Sequence, residues 1–117
     1  MEAQEILALS PEILRAAVLD DAGRILSYAE SEKGKLENLP ADYPVTTKAL
    51  VIEGLATALP KELGNIKFTS VVTDKYQLVT QTLGGRTVMF ALPTSIAPDQ
   101  ICDIAIKKFG TTMSVRR

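Results

Sequence analysis

The chain has 117 residues, long enough for one domain with a single core, and its 46% hydrophobic and 23% charged residues are those of an ordinary globular protein. A formal net charge of −1 leaves no electrostatic footprint for nucleic acid. With no histidine and one cysteine, Cys102, the chain cannot build a Ser-His-Asp or Cys-His nucleophile, a zinc cage or an internal disulfide.

The opening stretch MEAQEILALSPE carries acids where a signal peptide would carry basic residues, and its apolar run is short. No run approaches the roughly 20 apolar residues of a membrane-spanning helix, so a cytoplasmic location without membrane insertion is expected. Residues 2 to 9 pattern as a short amphipathic helix, with Ala3, Ile6 and Leu9 on one side. Ser10-Pro11 stops it, because proline disfavours the helical conformation in the residue before it.

ILRAAVLDDAGRILSYAES, residues 13 to 31, is two apolar runs about Asp20-Asp21-Ala22-Gly23. Leu14, Ala16 and Val18 alternate with Arg15, Ala17 and Leu19, so the first strand is apolar on both faces and suits a place covered on both sides. The aspartates accept local backbone hydrogen bonds and the glycine takes positive φ, turning the chain into a second strand over Arg24 to Ala29. A calcium loop would need further oxygen ligands at alternate positions and a distal glutamate, which DDAGRILS does not supply. Residues 30 to 45 form a long polar connection with two prolines, and its Glu30, Glu32, Glu37 and Asp42 read as a solvated face rather than an acid–base pair.

Thr46 or Thr47 can cap a helix running to about Leu59. Val45, Ala49, Ile52, Leu55, Ala56 and Leu59 share one face at helical spacing and pack on a sheet. Pro60 ends this helix or opens a further turn, and Gly64 stops it. Strands follow over Ile66 to Thr73, Tyr76 to Leu83 and Arg86 to Leu92, joined by Thr73-Asp74-Lys75 and by Gly84-Gly85. The glycine pair lacks the spacing of a phosphate loop and joins two strands. Pro98 opens a last helix, with Ile101, Ile104, Ala105 and Lys108 along one side, Phe109 alongside and Gly110 at its end. Cys102 beside that stripe reads as a small buried hydrophobe. The order α-β-β-α-β-β-β-α describes an α+β domain over residues 1 to 110, with 111 to 117 a frayed tail. Lys67, Phe68, Lys75 and Tyr76 interleave bases with aromatics, but acids balance them elsewhere, and no catalytic set, metal or cofactor is expected.

The middle helix carries too little charge for a surface helix. Thr47, Leu50, Val51, Gly54, Thr57 and Ala58 occupy its flank and back, with only Lys48 and Glu53 charged between Thr46 and Leu59. Small and apolar residues at 47, 51, 54 and 58 would let another helix approach closely. Either the long connection folds over this side or another protein covers it. The strand Ile66, Lys67, Phe68, Thr69, Ser70 and Val71 has one lysine and no proline to discourage pairing if it lies at a sheet edge. A second copy would use that edge and the helix together in an isologous contact.

These pieces resemble the roadblock / dynein-light-chain superfamily, including small archaeal single-domain relatives. The resemblance rests on SPEILRAAVLDDAGRILSYA as the first hairpin, LGNIKFTSVVTDKYQLVTQTLGGRTVMFALP as a three-strand meander and APDQICDIAIKKF as the closing helix. It implies a profilin-like sandwich: one five-stranded antiparallel sheet of order 2-1-5-4-3, the first and last helices on one face, the middle helix on the other. It further implies homodimers formed through the third strand and the middle helix. Such dimers serve as non-enzymatic platforms for motor, signalling and small-GTPase assemblies, and some bacterial members activate a Ras-like GTPase. A small GTPase or another roadblock-type protein is the partner this implies. A small-molecule-sensing signalling domain with a similar sheet is the alternative, though three Phe, three Tyr and no Trp leave little for a stacking pocket.

Overall fold

The computed structural model describes residues 1 to 36 and 53 to 110. Five strands make one antiparallel sheet of order β2-β1-β5-β4-β3. They are β1 (Arg15–Leu19), β2 (Ile25–Glu30), β3 (Thr69–Val72), β4 (Tyr76–Leu83) and β5 (Arg86–Pro93). The helices are α1 (Ala3–Leu7), α2 (Glu53–Ala58) and α3 (Asp99–Phe109), with 3₁₀ turns at Gly34–Leu36 and Lys61–Leu63. The expected element order and strand order are those observed. Of the helix expected over 46 to 59, the part before Glu53 lies outside the described residues, as do most of the connection over 30 to 45 and the tail from 111.

Alternation along the strands sorts the core. Ala16, Val18, Ala29, Val79, Leu83, Val88, Phe90 and Leu92 share one face and pack with Ala3 and Ile6 of α1 and Ile101, Cys102 and Ala105 of α3. The first and last helices therefore cover the same side of the sheet. Ala17, Leu19 and Met89 form a smaller cluster on the opposite face. Every residue of β1 is buried, as a strand apolar on both sides requires.

Helix α1 begins with the Glu5 carboxylate accepting the Glu2 N–H at 2.9 Å. It ends at Leu7, short of Ser10-Pro11. The N–H groups of Leu9 and Ser10 turn back to the carbonyls of Ile6 and Leu7, so the last turn tightens instead of continuing. The stripe of α3 also differs from expectation. Ile101, Cys102 and Ala105 are buried, whereas Ile104 is half-exposed. Ile106 and Phe109 pack at the core margin, so the buried stripe runs along the Cys102 flank rather than the Ile104 flank.

Asp20 organises the β1–β2 turn. Its Oδ1 accepts the N–H groups of Ala22 and Arg24, each at 2.9 Å, its Oδ2 accepts from Arg24 Nε at 2.9 Å, and Gly23 takes φ 83°. The Arg24 amide, more than any other group, lowers the Asp20 pKa below its ordinary 3.8. Beyond β2 the chain is fastened to β1. Ser31 N–H donates to the Leu14 carbonyl at 2.9 Å, and Ser31 Oγ accepts from the Gly34 N–H at 3.0 Å. Gly34 lies so close that a β-carbon there would stand 1.9 Å from the Leu14 carbonyl oxygen.

Two outcomes follow from these turns. Gly34→Ala must push the 3₁₀ turn off β1, and urea denaturation should register a loss of about 2 kcal/mol or more. For Asp20 the folded pKa is lowered, so its stabilisation is complete above the unfolded value and fades as pH falls through the folded one. The wild type should therefore lose more stability than Asp20→Asn between about pH 5 and 2, measured by thermal melts across that range.

Candidate protein-protein interface

Strand β3 is short and lies at the sheet edge. Thr69, Ser70, Val71 and Val72 stand opposite Thr80, Val79, Leu78 and Gln77 of β4, and the other side of β3 carries no strand among the described residues. Ser70 Oγ donates to Gln77 Oε1 at 3.0 Å, and the Gln77 amide donates to the carbonyls of Pro93 and Ile96. That chain of bonds ties the edge to the end of β5. Thr73 closes the β3–β4 turn, its N–H donating to the Tyr76 carbonyl at 2.8 Å.

The predicted interface residues divide. Ser70 and Val71 lie on β3 and are exposed, and Thr69 is half-buried at its start. Ile66 and Lys67 are exposed but precede the strand, which starts three residues later than the pattern suggested. Phe68, just before the strand, is partly buried and packs against the core. On α2, Gly54 and Ala58 are exposed, one helical turn apart, and a β-carbon added at Gly54 would meet nothing within 4 Å. Thr47, Leu50 and Val51 lie outside the described residues.

Three further apolar residues in this part of the chain are exposed. Leu63 is 71% exposed, Val72 is 64% exposed, and Leu59 is exposed as well. Leu63 stands in the 3₁₀ turn that ends at Gly64, where φ is 87°. Sequence reasoning passed over Leu63 because PKEL read as helix punctuation, and over Leu59 because periodicity placed it on the packed face. With Ile66 and Val71 they make five exposed aliphatic side chains within residues 59 to 72.

Several polar groups elsewhere make contacts that hold the fold. Glu30, expected on a solvated face, ends β2 and pairs with the buried guanidinium of Arg15 at 3.3 Å. Arg15 also donates to the Gly34 carbonyl at 3.1 and 3.3 Å and to Tyr28 Oη at 3.1 Å. An arginine inside an apolar strand was the one chemical feature of the hairpin that the alternation pattern did not single out. The Gly84 N–H donates to the Gly110 carbonyl at 3.1 Å, which ties the glycine turn to the end of α3. Among the described residues no group of three Asp, Glu or Cys is arranged to hold a metal ion, and no helix is long and apolar enough to cross a membrane. Cys102 is buried, and burial, then the charges of Asp99 and Asp103, push its thiol up to about 12.

Solved structures with this architecture are known. The chain superposes on "MglB with tetrameric arrangement" at a TM-score of 0.63, with 20% identity, covering 91% of this chain and 77% of that one. The Roadblock/LC7 domain from Streptomyces avermitilis matches at 0.62, with 16% identity, over 97% and 91% of the two chains. The gliding protein MglB from Thermus thermophilus also matches at 0.62, with 20% identity, over 91% and 78%. No protein-family model matches the sequence, and no curated protein does. The chain has the fold of Roadblock/LC7 domains.

The state of Cys102 is directly measurable. A thiol reagent such as dithionitrobenzoate at pH 8 should leave the folded protein unlabelled for hours and titrate one thiol at once in denaturant; rapid labelling of the folded chain would contradict its burial.

Proposed function

We propose that this protein is a roadblock-type adaptor that acts in the cytoplasm as a homodimer without catalysis of its own, and that its dimer presents a surface to a small Ras-like GTPase or another roadblock-type protein. The observation that carries the reading is the coincidence of an unpaired edge with exposed apolar side chains. β3 leaves one side of its backbone without a strand among the described residues, it carries Val71 and Val72 exposed, and Leu59 and Leu63 are exposed in the segment that leads into it. Exposed edges without proline or a row of lysines invite pairing. Gly54 and Ala58 supply exposed small residues on α2, the helix that precedes β3 in the chain, where a second helix can approach closely.

Two similarities support this. The solved structures of like fold include an MglB described as having a tetrameric arrangement, so copies of this fold associate with one another. The sequence motifs resemble those of a superfamily whose dimers serve as platforms for GTPase assemblies. The GTPase is an inference by analogy of fold and motif, because a fold hosts many functions. A non-enzymatic role agrees with the chemistry of the described side chains: the thiol is buried and protonated, and Glu30 and Asp20 are committed to structural contacts.

Ala58→Asp should leave the fold intact, because position 58 is exposed, yet weaken self-association at least tenfold by placing a charge in an apolar contact. Sedimentation velocity between 1 and about 100 μM, with circular dichroism as the fold control, reads both effects. A wild type that stays monomeric across that range overturns the dimer. Binding to candidate GTPases in the GDP and GTP states tests the partner: no binding and no change in hydrolysis rate in either state would remove it.

A further inference from the structure

A notch of about 640 Å³ opens between the start of α1, the first half of β2, the β4–β5 turn and the end of α3. Met1, Leu26 and Phe109 supply its apolar lining, and Arg86, Lys108 and Glu2 its charges. Two contacts fix its walls. The Ala3 N–H donates to Ser27 Oγ at 2.8 Å, which seats the start of α1 on β2. The Gly84 N–H donates to the Gly110 carbonyl, and a β-carbon on Gly84 would stand 3.4 Å from the Phe109 carbonyl oxygen. That close approach of turn and helix brings Lys108 and Phe109 to the notch that Arg86 also lines. The Lys108 ammonium lies 5.4 Å from the centre of the Phe109 ring, a cation–π distance.

Leu26 is there because of a bulge. Ser27 stands opposite Val18 and Ile25 opposite Leu19, so Leu26 is an extra residue without a partner on β1. It is 52% exposed and contributes nothing to the core. Bulges re-aim side chains and are frequent beside functional sites. Arg86 and Lys108 are exposed too, and among the described residues neither pairs with a carboxylate. We propose that this notch takes a short acidic segment of a partner protein, an apolar side chain seated on Leu26, Met1 and Phe109 and its flanking carboxylates held by Arg86 and Lys108. Charge complementarity selects that occupant. Two cations against the single carboxylate of Glu2 leave the notch net positive, in a chain whose formal net charge is −1. The apolar lining favours a peptide over a bare anion, and Glu2 opposes a run of phosphates. No lining residue belongs to α2 or β3, so the site stands without the dimer reading.

A phage-displayed library of random short peptides, selected on the immobilised full-length chain, supplies the probes. Recovered peptides are titrated calorimetrically into the wild type, Leu26→Ser, Ala58→Asp and a double variant carrying Arg86→Glu and Lys108→Glu, with circular dichroism confirming each fold. They should carry Leu, Ile or Phe flanked by Asp or Glu, and bind more weakly as salt rises. Charge reversal in the double variant should weaken binding at least about tenfold, and Leu26→Ser should weaken it as well. Ala58→Asp should bind them with unchanged affinity whatever its oligomeric state, which separates this site from the adaptor dimer. Failure to recover any peptide, recovery of peptides without acids, or equal binding to the wild type and the double variant overturns the proposal. Loss of binding in Ala58→Asp overturns it too, by moving the peptide to the α2 surface. If no peptide binds but an oligothymidylate binds the wild type and not the double variant, the occupant is nucleic acid and the peptide assignment falls.

Discussion

A guanidinium buried inside a sheet must be neutralised and hydrogen-bonded, or the strand that carries it cannot stay folded. Arg15 meets that condition with a carboxylate, a phenol and a backbone carbonyl drawn from β2 and the turn that follows it. Its burial therefore dictates where two neighbouring pieces of chain must lie. β2 is held in register beside β1, and the Gly34 turn is drawn against the Leu14 carbonyl so closely that only a residue without a β-carbon fits. The direction in which the chain leaves the sheet after β2 is set by this contact. A salt bridge of this kind adds little net stability over an apolar replacement, but it admits one arrangement and penalises others heavily.

Once β1 is sealed between β2 and β5, with helices α1 and α3 on one face, the interior is saturated. Phe90, Val88 and Leu92 of β5 fill one side and Met89 the other, with hardly any surface left to water. Excess apolar side chains then collect where the sheet runs out, along β2 at one end and around β3 at the other. Small domains have a high ratio of edge to interior, and an apolar edge is commonly used for association.

The hairpin over residues 13 to 31, the meander over 66 to 92 and the closing helix were legible because each depends on nearest neighbours: alternation, aspartate and glycine at turns, helical spacing. Boundaries were less so. β3 begins at Thr69 and not at Ile66, because a strand boundary is set by pairing with β4, residues distant in sequence, and that pairing starts at Thr69 opposite Thr80. The buried face of α3 lies toward Cys102 rather than Ile104, again through contacts with residues distant in sequence. Of the interface candidates, Ser70, Val71, Gly54 and Ala58 are exposed, and so are Leu63 and Val72, which no pattern in the sequence singled out, because exposure is a property of what else is nearby.

Local chemistry alone determined the order of the elements, the two tight hairpins and the lack of a histidine-based site. These follow from backbone preferences and from which side chains are present. Only the folded arrangement decided that Arg15 is a buried lock, that Glu30 is its counter-ion and that Leu26 and Leu63 face water. Those outcomes depend on pairing across the sheet, where residues far apart in the chain compete for the same enclosed space. No periodicity within a single segment can record the result of that competition.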